Sequence, residues 1–187
     1  MRYGPEEWLD AALATYGSLY REALNSTSTV YRFLCFYKII ESLYQRRDRL
    51  MHEAQQNGAR LHHPREVIPG EANDFLPWLN AIFSVRHEWD DLDLATIFRQ
   101  EALGKKIRRL YQDELRVVRN SIAHALLDAG ELVASPDDAI PHGEVDKWLP
   151  LTKCIVRRLL KNEFAANFPP EPDEQAPAAT KNEQANE

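Results

Sequence analysis

The sequence predicts an all-α protein, a bundle of five to six helices with a disordered C-terminal tail, from three observations. Apolar residues recur at three- and four-residue spacing over several long stretches, which is the period of an amphipathic helix. Clusters of Ser, Asn, Gly and Pro separate those stretches. No stretch alternates apolar and polar residues as a strand would, and no internal repeat is visible. Such a pattern points to helices packed on helices.

The elements follow in order. Pro5 to Leu24 reads as a helix, with Pro5 in the first turn and Glu6 and Glu7 where the helix dipole favours acids. Asn25-Ser26-Thr27-Ser28 ends it and supplies a cap for the next. The second helix runs from about Thr29 to about Gln56. Val30, Phe33, Leu34, Phe36, Tyr37, Ile40, Leu43 and Tyr44 cover so much of its circumference that it reads as the central helix. It turns polar at Gln45-Arg46-Arg47-Asp48-Arg49, which reads as a solvated end. Asn57 to Gly70 is a loop by its Gly, Pro and paired His62-His63. Phe75 to Val85 predicts a short helix with Pro77 in its first turn, and His87 to Asp91 a connection. From about Leu94 the helical pattern resumes, weakened at Gly104, and runs through RNSIAHALL to Asp128-Ala129-Gly130. After a loop from Glu131 to Gly143, a last helix spans about Glu144 to Asn167, with Pro150 tolerated near its start.

Length places these helices in one domain, residues 1–168, which can bury a core without staples. The segment 169–187, PPEPDEQAPAATKNEQANE, has five acids, one base and no large apolar residue. It cannot bury enough surface to offset ordering and reads as an acidic disordered tail. The total of -6 argues against a nucleic-acid coat protein, but the tail holds -4 of it and leaves a nearly neutral body of -2. Cys35 and Cys154 sit among apolar residues at helical spacing and read as buried free thiols, not a disulfide framework or metal knuckle. MRYGPEEWLD carries charge where a signal peptide needs an apolar run, and no apolar run is long enough to span a bilayer. The expectation is a cytoplasmic protein with no membrane partner.

The stretch 119–127, RNSIAHALL, sets an Arg, an Asn and a His among apolar neighbours. Asn120 and His124, four apart, share a helix face. Arg119 lies about 140° from His124 at about 100° per residue, within reach of the same rim for a long side chain. Arg supplies a fixed positive fork suited to phosphate, His moves a proton near neutrality, and Asn orients either. With no paired carboxylates and no metal ligand set nearby, these groups suit metal-independent RNA cleavage, in which the ribose 2′-hydroxyl attacks the adjacent phosphate. DNA lacks that hydroxyl. No cofactor is called for. The spacing alone is weak: among sixteen arginines and six histidines, Arg47 and His52 repeat it. That second match reads as a decoy, because Asn120 follows Arg119 and Ile122, Ala123, Leu126 and Leu127 hold its helix against a core.

Arg-Asn, three residues, then His, opening a late helix of an all-α domain, resembles the HEPN superfamily. Tyr31 to Leu43, YRFLCFYKIIESL, and RNSIAHALLDAG are similar to the second helix and motif helix of MauJ-like (methylamine-utilisation) and related HEPN proteins. The resemblance covers about Val30 to Phe164. It implies a homodimer whose paired motif helices form one composite cleft, with Arg119 and His124 as catalytic pair, Asn120 orienting them and Glu41 supporting the Arg. For many relatives it implies a toxin or defence ribonuclease; a protein antitoxin is then a possible partner. The departure is Leu126, where the nucleotidyltransferase-paired toxins have a Tyr two residues after the His. That argues against the toxin type modified by its antitoxin. The other implied reading is a non-catalytic module that binds nucleotide or a protein partner.

Other clusters carry less. His62 and His63 with His52 suggest a metal site, but their loop offers no third ligand at a typical spacing and reads as a surface loop. His87-Glu88 and Asp90-Asp91 read as a solvated turn, and Trp78, Trp89 and Trp148 as core or interface anchors. Lys105, Lys106, Arg108 and Arg109 read first as a solvated face, and as RNA-backbone contacts if the cleft lies beside them. Arg157, Arg158 and Lys161 read as a helix end interacting with its own dipole.

Overall fold

The computed structural model describes residues 5–61, 66–82, 94–129 and 142–167. These fold as an all-α bundle. Helix α1 is Pro5–Asn25, α2 Thr29–Gln56 and α3 Ala72–Ile82. A short α4, Leu94–Ile97, precedes a 3₁₀ turn at Gln100–Ala102. Helix α5, Ile107–Leu110, runs through a π turn at Tyr111–Leu115 into α6, Arg116–Ala129. Helix α7 is His142–Asn167. The acidic segment 169–187, the paired His62 and His63, and the 87–91 connection lie outside the described residues.

Helix α2 is the centre of the bundle, packed chiefly on α1 and α7. Its cap comes from the expected segment 25–28: the Ser28 side chain accepts from the Tyr31 backbone N–H at 3.1 Å. Phe33, Phe36, Ile39, Ile40 and Leu43 are fully enclosed. They meet Ile155, Val156 and Leu159 in the same core. Cys35 and Cys154 are buried free thiols, and burial pushes the Cys154 thiol up to about 12.

Three elements differ from the sequence expectation. Helix α3 begins three residues earlier, at Ala72, so Pro77 stands in its interior rather than its first turn. Pro77 is exposed, so the backbone carbonyl it leaves without a partner can be solvated. The helix expected from about Leu94 is not continuous. Gly104 adopts a left-handed φ of 68°, which stops a helix at once. Gly104 and the chain after it then pair with residues 66–69: Ile68 N–H to Lys105 O at 3.0 Å, Gly104 N–H to Pro69 O at 3.1 Å, and Ile107 N–H to Glu66 O at 3.0 Å. This isolated antiparallel bridge launches the α5–α6 rod.

The third difference is the end of α2. Arg47 was expected to be solvated and is 3 % exposed. Its NH1 and NH2 donate to Glu66 Oε2 and Oε1 at 2.8 and 3.1 Å, and its Nε donates to Glu163 Oε1. Arg46 NH1 reaches Glu163 Oε2 at 3.0 Å, and Asn162 Nδ2 reaches Glu66 Oε1 at 2.9 Å. Burial opposes the Arg47 charge, but the hydrogen bonds and charge of Glu66, then those of Glu163, outweigh it and raise its pKa. The stripe Ile40, Leu43, Tyr44 continues on to Arg47 at helical spacing, so the position faces inward whatever residue occupies it.

Candidate active site

The motif lies on α6, where Val118 and Ile122 continue the inward stripe begun by Leu115 at the end of the π turn. Leu110 and Leu115 are both buried although five residues apart, because the π turn inserts one extra residue between them. In an uninterrupted α-helix the position four after Leu110 would turn inward, and that is Glu114. The turn is anchored by Tyr111, whose ring stands against Tyr37 and Tyr44 of α2 with centroids 5.2 and 5.9 Å away. The RNSIAH stretch therefore does not open a helix. Arg119 is already inside a rod that began at Ile107.

With Val118 and Ile122 turned inward, Arg119, Asn120 and His124 all stand exposed. Arg119 NH1 donates to Asn120 Oδ1 at 3.2 Å, so the Asn holds the guanidinium directly. Val117, beside them, is 63 % exposed, an unusual degree for a β-branched apolar side chain on a helix. The side chains of Leu126 and Leu127 lie outside the described residues.

Arg119 also borders a groove of about 310 Å³ between α1, α2 and α6, lined by Leu19, Tyr31, Leu34, Cys35, Tyr37, Lys38 and Glu41. Glu41 and Arg119 thus share one cleft. The carboxylate's ion pair there is with Lys38, Nζ to Oε2 2.8 Å. Tyr37 has its pKa raised by burial first and by the Tyr111 hydroxyl second; Glu41 adds to the rise and Arg119 opposes it. Both charges therefore act on the groove's floor.

The basic residues upstream are paired. Lys105 meets Glu114 at 2.8 Å, Arg109 meets Asp113 at 2.9 Å, and Arg108 grips Asp48 through two bonds of 2.8 and 2.7 Å. Lys106 is exposed at the start of α5. On α7, the Lys161 Nζ donates to Ala81 O near the end of α3, at 3.1 Å. Arg158 lies over the Trp78 ring at 5.5 Å. Trp78 and Trp148 are buried, and Trp89 lies outside the described residues. His52, the decoy's imidazole, is exposed and bonds Gln56. Sequence reasoning missed Glu66 and Glu163. Glu163 was findable, since Ile155, Val156, Leu159 and Leu160 lead to it at core spacing.

The sequence profile of the family described as methylamine utilization protein MauJ matches residues 16–161. The chain belongs to the MauJ family. The matched span takes in α2, the residues that line the groove and the whole RNSIAH stretch of this MauJ-family chain. No curated protein and no solved structure matches the chain. Among the described residues no group of three or more His, Cys, Asp or Glu is placed to hold a metal ion, and no helix is long and apolar enough to cross a membrane.

Proposed function

We propose that this MauJ-family chain is a HEPN-type endoribonuclease of the toxin or defence kind, acting without metal at a cleft that two copies complete. The observation that carries the reading is the outward placement of Arg119, Asn120 and His124 over an inward stripe of Val118 and Ile122. Neither the guanidinium of Arg119 nor the imidazole of His124 is enclosed between helices of this subunit. These face outward, next to an exposed Val117 suited to a second copy.

The chemistry follows from the groups. The ribose 2′-oxygen attacks phosphorus, the 5′-oxygen leaves, and a 2′,3′-cyclic phosphate and a 5′-hydroxyl result. One His124 of the pair takes the 2′-hydroxyl proton and the other delivers a proton to the leaving oxygen. Arg119 stabilises the charge that builds on the phosphoryl oxygens. Asn120 fixes the guanidinium through the 3.2 Å bond. Glu41, at the same cleft, supplies the supporting carboxylate on the Arg119 side of the site.

A second reading is a non-catalytic nucleotide-binding or protein-interaction module. The observation favouring it is the pairing of Lys105, Arg108 and Arg109 with Glu114, Asp48 and Asp113, which weakens a basic track for RNA. One assay decides. Purified protein is incubated with labelled single-stranded RNA in EDTA, beside Arg119→Ala and His124→Ala. Cleavage by the unaltered protein, lost in both variants, supports the nuclease. Cleavage that survives both substitutions rejects this site, and no cleavage of any RNA favours the module.

A further inference from the structure

We infer that the groove beside Arg119 seats a nucleobase of an RNA chain, the one flanking the phosphate held by Arg119. The inference rests on the nucleotide-facing reading of the site but goes beyond it, because the motif by itself specifies no base contact.

The groove joins three chemistries that a nucleotide has and other small anions lack together. Its walls are apolar and aromatic, with Leu19, Leu34, Tyr31 and Tyr37, as a flat base requires. Arg119 and Lys38 stand at the same groove for the phosphate, Lys38 being 58 % exposed and joined to Glu41 only through a surface ion pair of 2.8 Å. Glu41 contributes carboxylate oxygens that accept hydrogen bonds only, which suits the amino or imino edge of a base. An acyl anion would gain nothing from that carboxylate, and a sugar phosphate nothing from the apolar walls. The volume of about 310 Å³ is at the lower end of small-molecule sites, enough for one nucleotide unit and too small for a folded segment of another protein.

The test uses the full chain and fluorescein-labelled oligonucleotides with 2′-O-methyl sugars, which cannot be cleaved. Anisotropy titrations compare an intact oligonucleotide with a series carrying one abasic position moved along it. Base–aromatic stacking of the usual strength makes removal of the seated base weaken binding roughly tenfold. The expected result is such a loss at one position for the unaltered protein, and no difference between intact and abasic oligonucleotides for Leu34→Glu. Lys38→Glu, at an exposed position that does not threaten folding, should weaken both oligonucleotides alike. Binding that ignores every abasic position, or no binding at all, overturns the inference. If base removal matters yet cleavable RNA stays uncut, the base seat stands and the nuclease reading falls. If RNA is cut but the abasic series binds evenly, the nuclease stands and the base seat falls. Should Leu34→Glu instead change the oligomeric state in sedimentation while base dependence persists, the groove is an interface between copies and the inference is rejected.

Discussion

Arg47 and Glu66 form a two-point ion pair inside the bundle, with N–O distances of 2.8 and 3.1 Å and both side chains 4 % exposed. Glu66 belongs to the segment that bridges to 104–107, so this pair ties the central helix to the start of the motif rod. Glu163 extends the tie to α7. Removing Arg47 leaves two carboxylates facing each other away from water. Arg47→Ala should therefore cost about 3–5 kcal/mol, near the whole stability of many domains. Urea unfolding of Arg47→Ala beside the parent checks this, and a loss below about 1 kcal/mol would show that the network is slack.

Arg119 and His124 face outward, so their loss should leave the fold intact. Arg119→Ala and His124→Ala are expected to stay within about 0.5 kcal/mol of the parent in the same titration. A large destabilisation of either would mean that the residue serves the fold, and the site would need rethinking.

The π turn sets which side of α6 faces outward. Deleting the exposed Gln112 should convert the turn to ordinary α-helix and rotate one end of the rod against the other by about 100°. Leu115, Val118 and Ile122 then cannot all keep their seats once Leu110 does. Lowered thermal stability with helical circular dichroism retained below the transition is the expected outcome. An unchanged melting curve would show that the extra residue has no part in aiming the motif.

Cys154 connects core burial to pH. Its folded pKa is raised from 9.0 to about 12 by burial, so the folded state keeps the proton that the unfolded state gives up. The stabilisation from this thiol is complete below pH 9 and is lost as pH rises toward 12. Stability of the parent should fall across that window with a steeper slope than that of Cys154→Ala. The thiol should also resist alkylation at pH 8 until denaturant is added. Fast labelling in the native protein would contradict its enclosure.

Gly104, at φ 68°, is the break that lets the rod begin at Ile107. A Cβ there would meet nothing closer than Gly70 Cα at 3.9 Å, so the cost of Gly104→Ala is one of backbone conformation, not of clash. It should be about 1 kcal/mol, read from the shift in urea midpoint at constant slope.

The sequence by itself determined the all-α class, the central place of α2, the segment that caps it, the enclosed thiols and the stretch that holds the candidate site. Each of these depends on near neighbours in the chain: spacing of three and four, a capping side chain, the run of apolar residues around Cys35 and Cys154. Tertiary structure decided the rest. Arg47 is polar by composition and interior by position, and only the arrival of Glu66 and Glu163 from distant segments makes that tolerable. Lys105, Arg108 and Arg109 look free in sequence, yet Arg108 is claimed by Asp48, sixty residues away. Glu41 and Arg119 meet at one groove only because α2 and α6 lie side by side. Local periodicity fixes which face of a helix turns inward, whereas ion pairs and grooves depend on which helices become neighbours, and that is settled by packing over the whole chain.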